Sequence, residues 1–234
     1  MIPHEIIRTF SSLWWDSVIV SCFIILVVIN IGVNLSDNKK FFFGKAIGLI
    51  LFFNFFCFHL YQLYFGIWNA SYSLPLHLCG LSSILSFIIF FFRKQWLYEL
   101  LFYWGIPGAF HSLMTPEFTL GKEGFLFYEY YISHGGILLS ALYCTFVLSF
   151  KPRLGSWWKV FLLSQVLILI IGVSNWLLDA NYMYFSQKPI VDNPFLIGEW
   201  PWYIFFIDLF AMVHFFLIYV PFKIKFYNNK LSEA

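Results

Sequence analysis

A chain of 234 residues that is 61% hydrophobic and 24% aromatic but only 11% charged, with a mean hydropathy of +0.77, cannot cover a water-facing surface, for which an ordinary globular domain uses roughly 25% charged residues. Its net charge of +2, from 14 Lys and Arg against 12 Asp and Glu, leaves no basic excess for a nucleic acid. What remains is an all-α polytopic membrane protein, read as one transmembrane domain over residues 1–234.

The first stretch, MIPHEIIRTFSSLWWD, has no basic segment leading into a cleavable apolar run, so the first span is expected to be retained. A helix needs about 20 mostly apolar residues to cross about 30 Å of hydrocarbon. Seven stretches qualify, at about 17–35, 46–66, 76–92, 96–114, 128–149, 157–178 and 202–221. The third and fourth are separated only by Arg93, Lys94 and Gln95, which predicts a tight helical hairpin. Trp14, Trp15, Trp68, Trp96, Trp157, Trp158, Trp200 and Trp202 fall near the predicted ends, where indoles sit at headgroup level. Gly44 and Gly48 have GxxxG spacing, a weak signal for close helix packing.

Charge between spans sets the orientation. Lys39, Lys40, Lys45, Arg93, Lys94, Lys151, Arg153, Lys159, Lys223, Lys225 and Lys230 fall on one side, and only Arg8, Lys122 and Lys188 on the other. Positive charge is retained inside, which predicts an external N-terminus and a cytoplasmic C-terminus. The long external stretch 178–202 has no helix or strand periodicity and reads as a functional loop.

Because successive spans alternate in direction, the start of an inward helix and the end of an outward one lie at one depth. By that rule His59, Gln62, His77, Cys79, His111, Glu129, His134, Asp179, Asn181 and Asp208 share the outer half, while Glu99 and His214 stand alone in the inner half. Ionisable groups in hydrocarbon are costly and default to function. A single intramembrane histidine bonded to a neighbouring carbonyl is the plain alternative, and Cys22, Cys57 and Cys144 read as small buried hydrophobes. Pro75 predicts a helix start at 74–75, with Cys79 just beyond the first turn, where the helix dipole favours thiolate. His77 is about 200° around the helix from Cys79, so the base must come from another helix. His134, at matching depth, is the best candidate. Asp208 needs a polar partner, expected to be His134 or His77, and Cys79, His134 and Asp208 would then be nucleophile, base and orienting acid. A metal held by His77, His111 and His134 lacks any His-x-x-x-His spacing to support it, and neither metal nor cofactor is expected.

LPLHLCGLSS, WGIPGAFHSLMTPEF, FYEYYISHGGILLSALY, NYMYFSQKP and EWPWYIFFIDL, in that order across about residues 70–222, resemble the transmembrane protein 164 family, including its bacterial integral membrane relatives. The animal members are identified as cysteine-dependent acyltransferases that move a polyunsaturated acyl chain from a phospholipid to a lysophospholipid. The resemblance implies Cys79 as acyl-accepting nucleophile and His134 as base, membrane phospholipid and lysophospholipid as partners, and a bacterial cytoplasmic membrane as location. His111 stands where the family usually has glutamine, and the identity of the lipid does not carry over. His77 and His111 then read as substrate-binding groups, Asn181 or Tyr182 as an oxyanion donor from the external loop, and Lys188 as a phosphate partner. A lipid hydrolase would use the same residues. A small-solute transporter or receptor is the rival from another class, but it would more commonly show midplane sites and inverted repeats.

Overall fold

The computed structural model describes residues 4–190 and 194–232, with side chains as far as 224. Seven helical passages follow one another, the run 95–114 counted as one: α1 (Ser12–Val33), α2 (Asp37–Tyr64), α3 (Leu78–Phe92), α4 (Gln95–Leu100) leading through a π turn at Leu101–Gly105 into α5 (Ile106–Met114), α6 (Phe125–Phe146), α7 (Ser156–Leu178) and α8 (Trp202–Ser232). Four of them, α1, α2, α7 and α8 up to Ile224, are long and apolar enough to cross a membrane. Less than a quarter of the apolar stretch of each is buried, so their large exposed side chains, such as Phe23, Leu169 and Trp176, present a lipid-type surface.

The class expectation was all-α, and two short strands add to it. β1 (Glu5–Ile6) pairs antiparallel with β2 (Glu117–Phe118), Glu5 opposite Phe118 and Ile6 opposite Glu117. The ribbon ties the N-terminal segment across the loop after α5. Lys122 clamps it by donating from its Nζ and its backbone N–H to Glu5 at 3.0 and 2.9 Å. Those bonds hold the Glu5 carboxyl below its ordinary value.

The boundaries follow local chemistry rather than hydropathy. α1 starts earlier than the apolar run because Ser11 caps it, its hydroxyl accepting from the Trp14 N–H at 3.3 Å. α2 starts at Asp37, well before the predicted 46, since its charged first turn is helical but not apolar; there Lys40 pairs with Asp37 at 3.2 Å. Pro107 explains the π turn: having no N–H, it cannot bond the Tyr103 carbonyl, and the helix widens just before it.

The segments α3, 95–114 and α6 make the inner layer, centred on the fully buried Ile89, Tyr98, Leu101, Tyr103, Ile137 and Tyr143. In hydrocarbon such helices hold together by close packing and interhelical hydrogen bonds. Gly44 and Gly48 allow the first: a Cβ at Gly44 would lie 2.8 Å from Phe90, and one at Gly48 3.2 Å from the Phe87 carbonyl, so α2 approaches α3 at backbone distance. The second comes from Tyr103 to Ser156 at 2.8 Å, Trp104 to Ser164 at 2.9 Å, Tyr98 to Thr145 at 3.0 Å and Tyr143 to the Lys40 carbonyl at 2.8 Å. Each contributes about 0.6 kcal/mol.

Candidate functional site

The start of α3 is built differently from the expectation that Pro75 begins it. Residues 74–76 form a tight turn, closed by the Leu76 N–H on the Leu74 carbonyl at 2.8 Å. His77 is the N-cap and Leu78 the first helical residue. Cys79 is therefore the second residue of α3, inside the first turn and not beyond it. No side chain caps this end, and the N–H groups of Leu78, Cys79 and Gly80 have no acceptor among the described residues. Gly80 is required by the turn: a Cβ there would meet the Pro75 Cα at 2.9 Å.

The Cys79 Sγ lies 3.5 Å from the Ser112 Oγ of α5. The Ser112 carbonyl accepts from the Tyr130 hydroxyl at 2.8 Å, and the Tyr130 ring packs on the His134 imidazole with centroids 4.2 Å apart. Cys79, Ser112, Tyr130 and His134 all line one cavity of about 460 Å³, a size typical of small-molecule sites. The Tyr130 carbonyl can only accept, so the His134 Nδ1, 2.8 Å away, carries the proton. The Nε2 of neutral His134 is then a bare lone pair with no hydrogen-bond partner among the described residues, which is the state a general base needs. Cys79 itself bonds Ser112 rather than His134, so a substrate would have to bring the thiol and imidazole into direct exchange.

A second histidine centre lines the same cavity. The His214 Nδ1 donates to the Phe210 carbonyl at 2.6 Å, which leaves its Nε2 to accept from the His111 Nε2–H at 3.2 Å. His214 had been counted into the opposite half of the bundle. That count assumes flush helix ends, yet a residue roughly 18 Å along α8 meets one in the last turns of α5. The Phe195 ring packs edge-on to both imidazoles, at 5.1 and 5.7 Å.

The other expected site residues have structural partners. Asp208 accepts from the Gln165 amide at 2.9 Å and does not line the cavity. The expectation of a histidine partner is thus corrected, because α8 faces α7 at that level. His77 accepts from the Met183 N–H at 3.2 Å and packs against the Tyr182 and Tyr184 rings, so it braces the long loop. Tyr182 is fully buried, donating to the Ala70 carbonyl at 2.7 Å and accepting from the Leu74 N–H at 2.9 Å. Asn181 folds its amide back onto Ser186 and Gln187. Lys188 pairs with Glu199 at 3.0 Å. Those three had been assigned to oxyanion and phosphate, but none of them lines the cavity. Glu99 is not isolated: it lies at the opposite end of the bundle and is held by Arg153.

Sequence reasoning missed Ser112, Tyr130 and Tyr184. Ser112 follows His111 directly and Tyr130 precedes His134 by one helical turn, so helical neighbourhood could have found both. Tyr184 sits in an aperiodic loop, where no pattern announces which side chain turns inward.

A model of the TMEM164 family matches residues 4–219. An uncharacterised protein of Treponema pallidum (strain Nichols) is 25% identical over 159 residues, which cover 64% of this chain and 62% of that relative, less than two thirds of its length. No solved structure matches.

Proposed function

The chain belongs to the TMEM164 family, and on that premise we propose that it is a seven-pass membrane enzyme that moves an acyl chain from a phospholipid to a lysophospholipid through a thioester on Cys79. The observation that carries this reading is that Cys79 and His134, the latter with its Nε2 left unprotonated, line one cavity. A nucleophile and a base within reach of one reacting carbon are what acyl transfer requires.

The lining also fits such a substrate. Phe55, Phe58, Trp104 and Phe215 give apolar wall to an acyl chain. No Lys or Arg lines the cavity among the described residues, so the lipid phosphate stays at the rim while the ester carbonyl enters. The proton of Cys79 passes to the His134 Nε2 and the sulfur attacks the ester carbon. The carbonyl oxygen becomes an oxyanion beside the free N–H groups of Cys79 and Gly80, at the positive end of α3. The tetrahedral intermediate then expels the lysolipid oxygen, which takes the proton from His134. Discharge runs the same path backwards: a lysophospholipid hydroxyl gives its proton to His134 and attacks the thioester. Asp208, bonded to Gln165, takes no part. The Lys and Arg asymmetry between spans supports an external cavity and a cytoplasmic C-terminus, in a bacterial cytoplasmic membrane.

The test is acyl exchange between a labelled phospholipid and an added lysophospholipid, with the full chain in vesicles. Exchange by the wild type and none by Cys79→Ala is the expected result. Label released only as free fatty acid would reassign the protein as a hydrolase, and exchange retained by Cys79→Ala would remove the reading.

A further inference from the structure

The loop between α7 and α8 brings Tyr184 to the cavity, where it lines the wall together with Cys79, Ser112 and His134. The backbone pays no regard to local preference there. Met183 and Tyr184 both have positive φ, 56° and 58°, a left-handed conformation costly for any residue with a Cβ and held only when the surroundings over-determine it. Those surroundings are visible. The Met183 N–H bonds the His77 Nδ1 at 3.2 Å, the Tyr184 N–H bonds the Asn181 carbonyl at 3.1 Å, and the Tyr203 hydroxyl bonds the Tyr184 carbonyl at 2.6 Å. The His77 ring packs against the Tyr184 ring, with centroids 5.4 Å apart. His77 is also the N-cap residue of α3, two positions before the nucleophile, so the strained turn is tied to the residue from which the nucleophile's helix starts.

We infer that the Tyr184 hydroxyl is a catalytic hydrogen-bond donor that receives the oxyanion formed when Cys79 attacks an acyl carbonyl. The inference rests on the acyl-transfer reading. Glu117 lines the same cavity as Tyr184, and its carboxylate already holds His4 at 2.7 Å and the Ile190 N–H at 3.2 Å. With those two partners Glu117 does not depend on the hydroxyl, which is left for the oxyanion. Burial above all, and then the charges of Glu117 and Cys79, hold the phenol above its ordinary value. It therefore stays protonated, donating a hydrogen bond while no proton leaves it. In each half-reaction the sulfur–carbon bond forms or breaks, the carbonyl electron pair moves onto the oxygen and back, and the transferred proton travels through His134. The free N–H groups of Cys79 and Gly80 supply the rest of the donor set.

Tyr184→Phe keeps the ring on His77 and removes only the hydroxyl. In the full chain in vesicles, with a fluorescent-acyl phospholipid as donor, it is expected to slow acylation of Cys79 by about 10²-fold while maleimide labels the Cys79 thiol at the wild-type rate. Tyr182→Phe is the control. Its hydroxyl bonds only backbone, so it lowers thermal stability and leaves acylation per folded molecule unchanged. Wild-type acylation by Tyr184→Phe overturns this inference alone, and a wild type that never acylates removes the acyl-transfer reading and the inference with it. If Tyr184→Phe does not fold, 3-fluorotyrosine at 184 keeps ring and hydroxyl and strengthens the donor; an altered acylation rate supports the role, and an unaltered one overturns it.

Discussion

At the end of the bundle where α4 begins, a nearly buried carboxylate is saturated. Glu99 accepts from the Gln95 amide at 3.1 Å, from the Arg153 N–H and Nε at 2.9 Å each, and from the Arg153 guanidinium at 2.7 Å. At the other end, where α3 begins, the His134 Nε2 and the N–H groups of Leu78, Cys79 and Gly80 face a cavity with no partner among the described residues. Polar groups within one apolar bundle are closed off in one place and left ready in the other. Buried polar groups that are fully bonded give a fold its stability and uniqueness. Groups left open in a hollow are costly without a ligand, and that cost is what makes them a site.

Substitutions at the two ends should therefore fail in different ways. The largest effect belongs to the open end: His134→Ala is expected to lower acyl exchange by about 10²–10⁴-fold, with a melting temperature close to that of the wild type by intrinsic fluorescence. A large loss of stability instead would make His134 a structural group like Glu99. At the closed end, Arg153→Ala leaves Glu99 with only a backbone N–H and the Gln95 amide. It should destabilise by about 1–3 kcal/mol in a detergent unfolding series, with exchange per folded molecule retained. Exchange falling in step with Arg153 would show that the ends are coupled.

His77→Ala tests the border between the two kinds of group, because it releases the Met183 N–H. It is expected to make the loop 179–201 more sensitive to protease and to slow exchange by about tenfold, through an oxyanion donor held less firmly. The smallest effect is expected from Asp208→Asn, whose amide oxygen still accepts from Gln165; exchange should change by no more than about twofold. A severe loss there would return Asp208 to the catalytic set.

The apolar spans and the cluster around Cys79 and His134 were legible because both follow from helix geometry: hydropathy marks a span, and alternating direction assigns a depth. That rule failed where helix ends are not flush, as with His214, and it carries no information on azimuth, so Asp208 was given a histidine when it faces Gln165. The loop was beyond it altogether. Asn181 and Tyr182 were expected to enter the site, but left-handed turns at Met183 and Tyr184 bring in the tyrosine two positions on, and no periodic pattern encodes such a turn. The long start of α2 was invisible for a simpler reason: Asp37, Lys39 and Lys40 are helical but polar, and hydropathy registers only what lipid would accept.

The most direct measurement is mass-spectrometric mapping of the protein after exposure to a phospholipid with an isotope-labelled acyl chain. The expected result is one labelled acyl group, sensitive to hydroxylamine, on the peptide that carries Cys79, and its disappearance when lysophospholipid is added. A label on any other residue, or exchange proceeding with no thioester at Cys79, would contradict it.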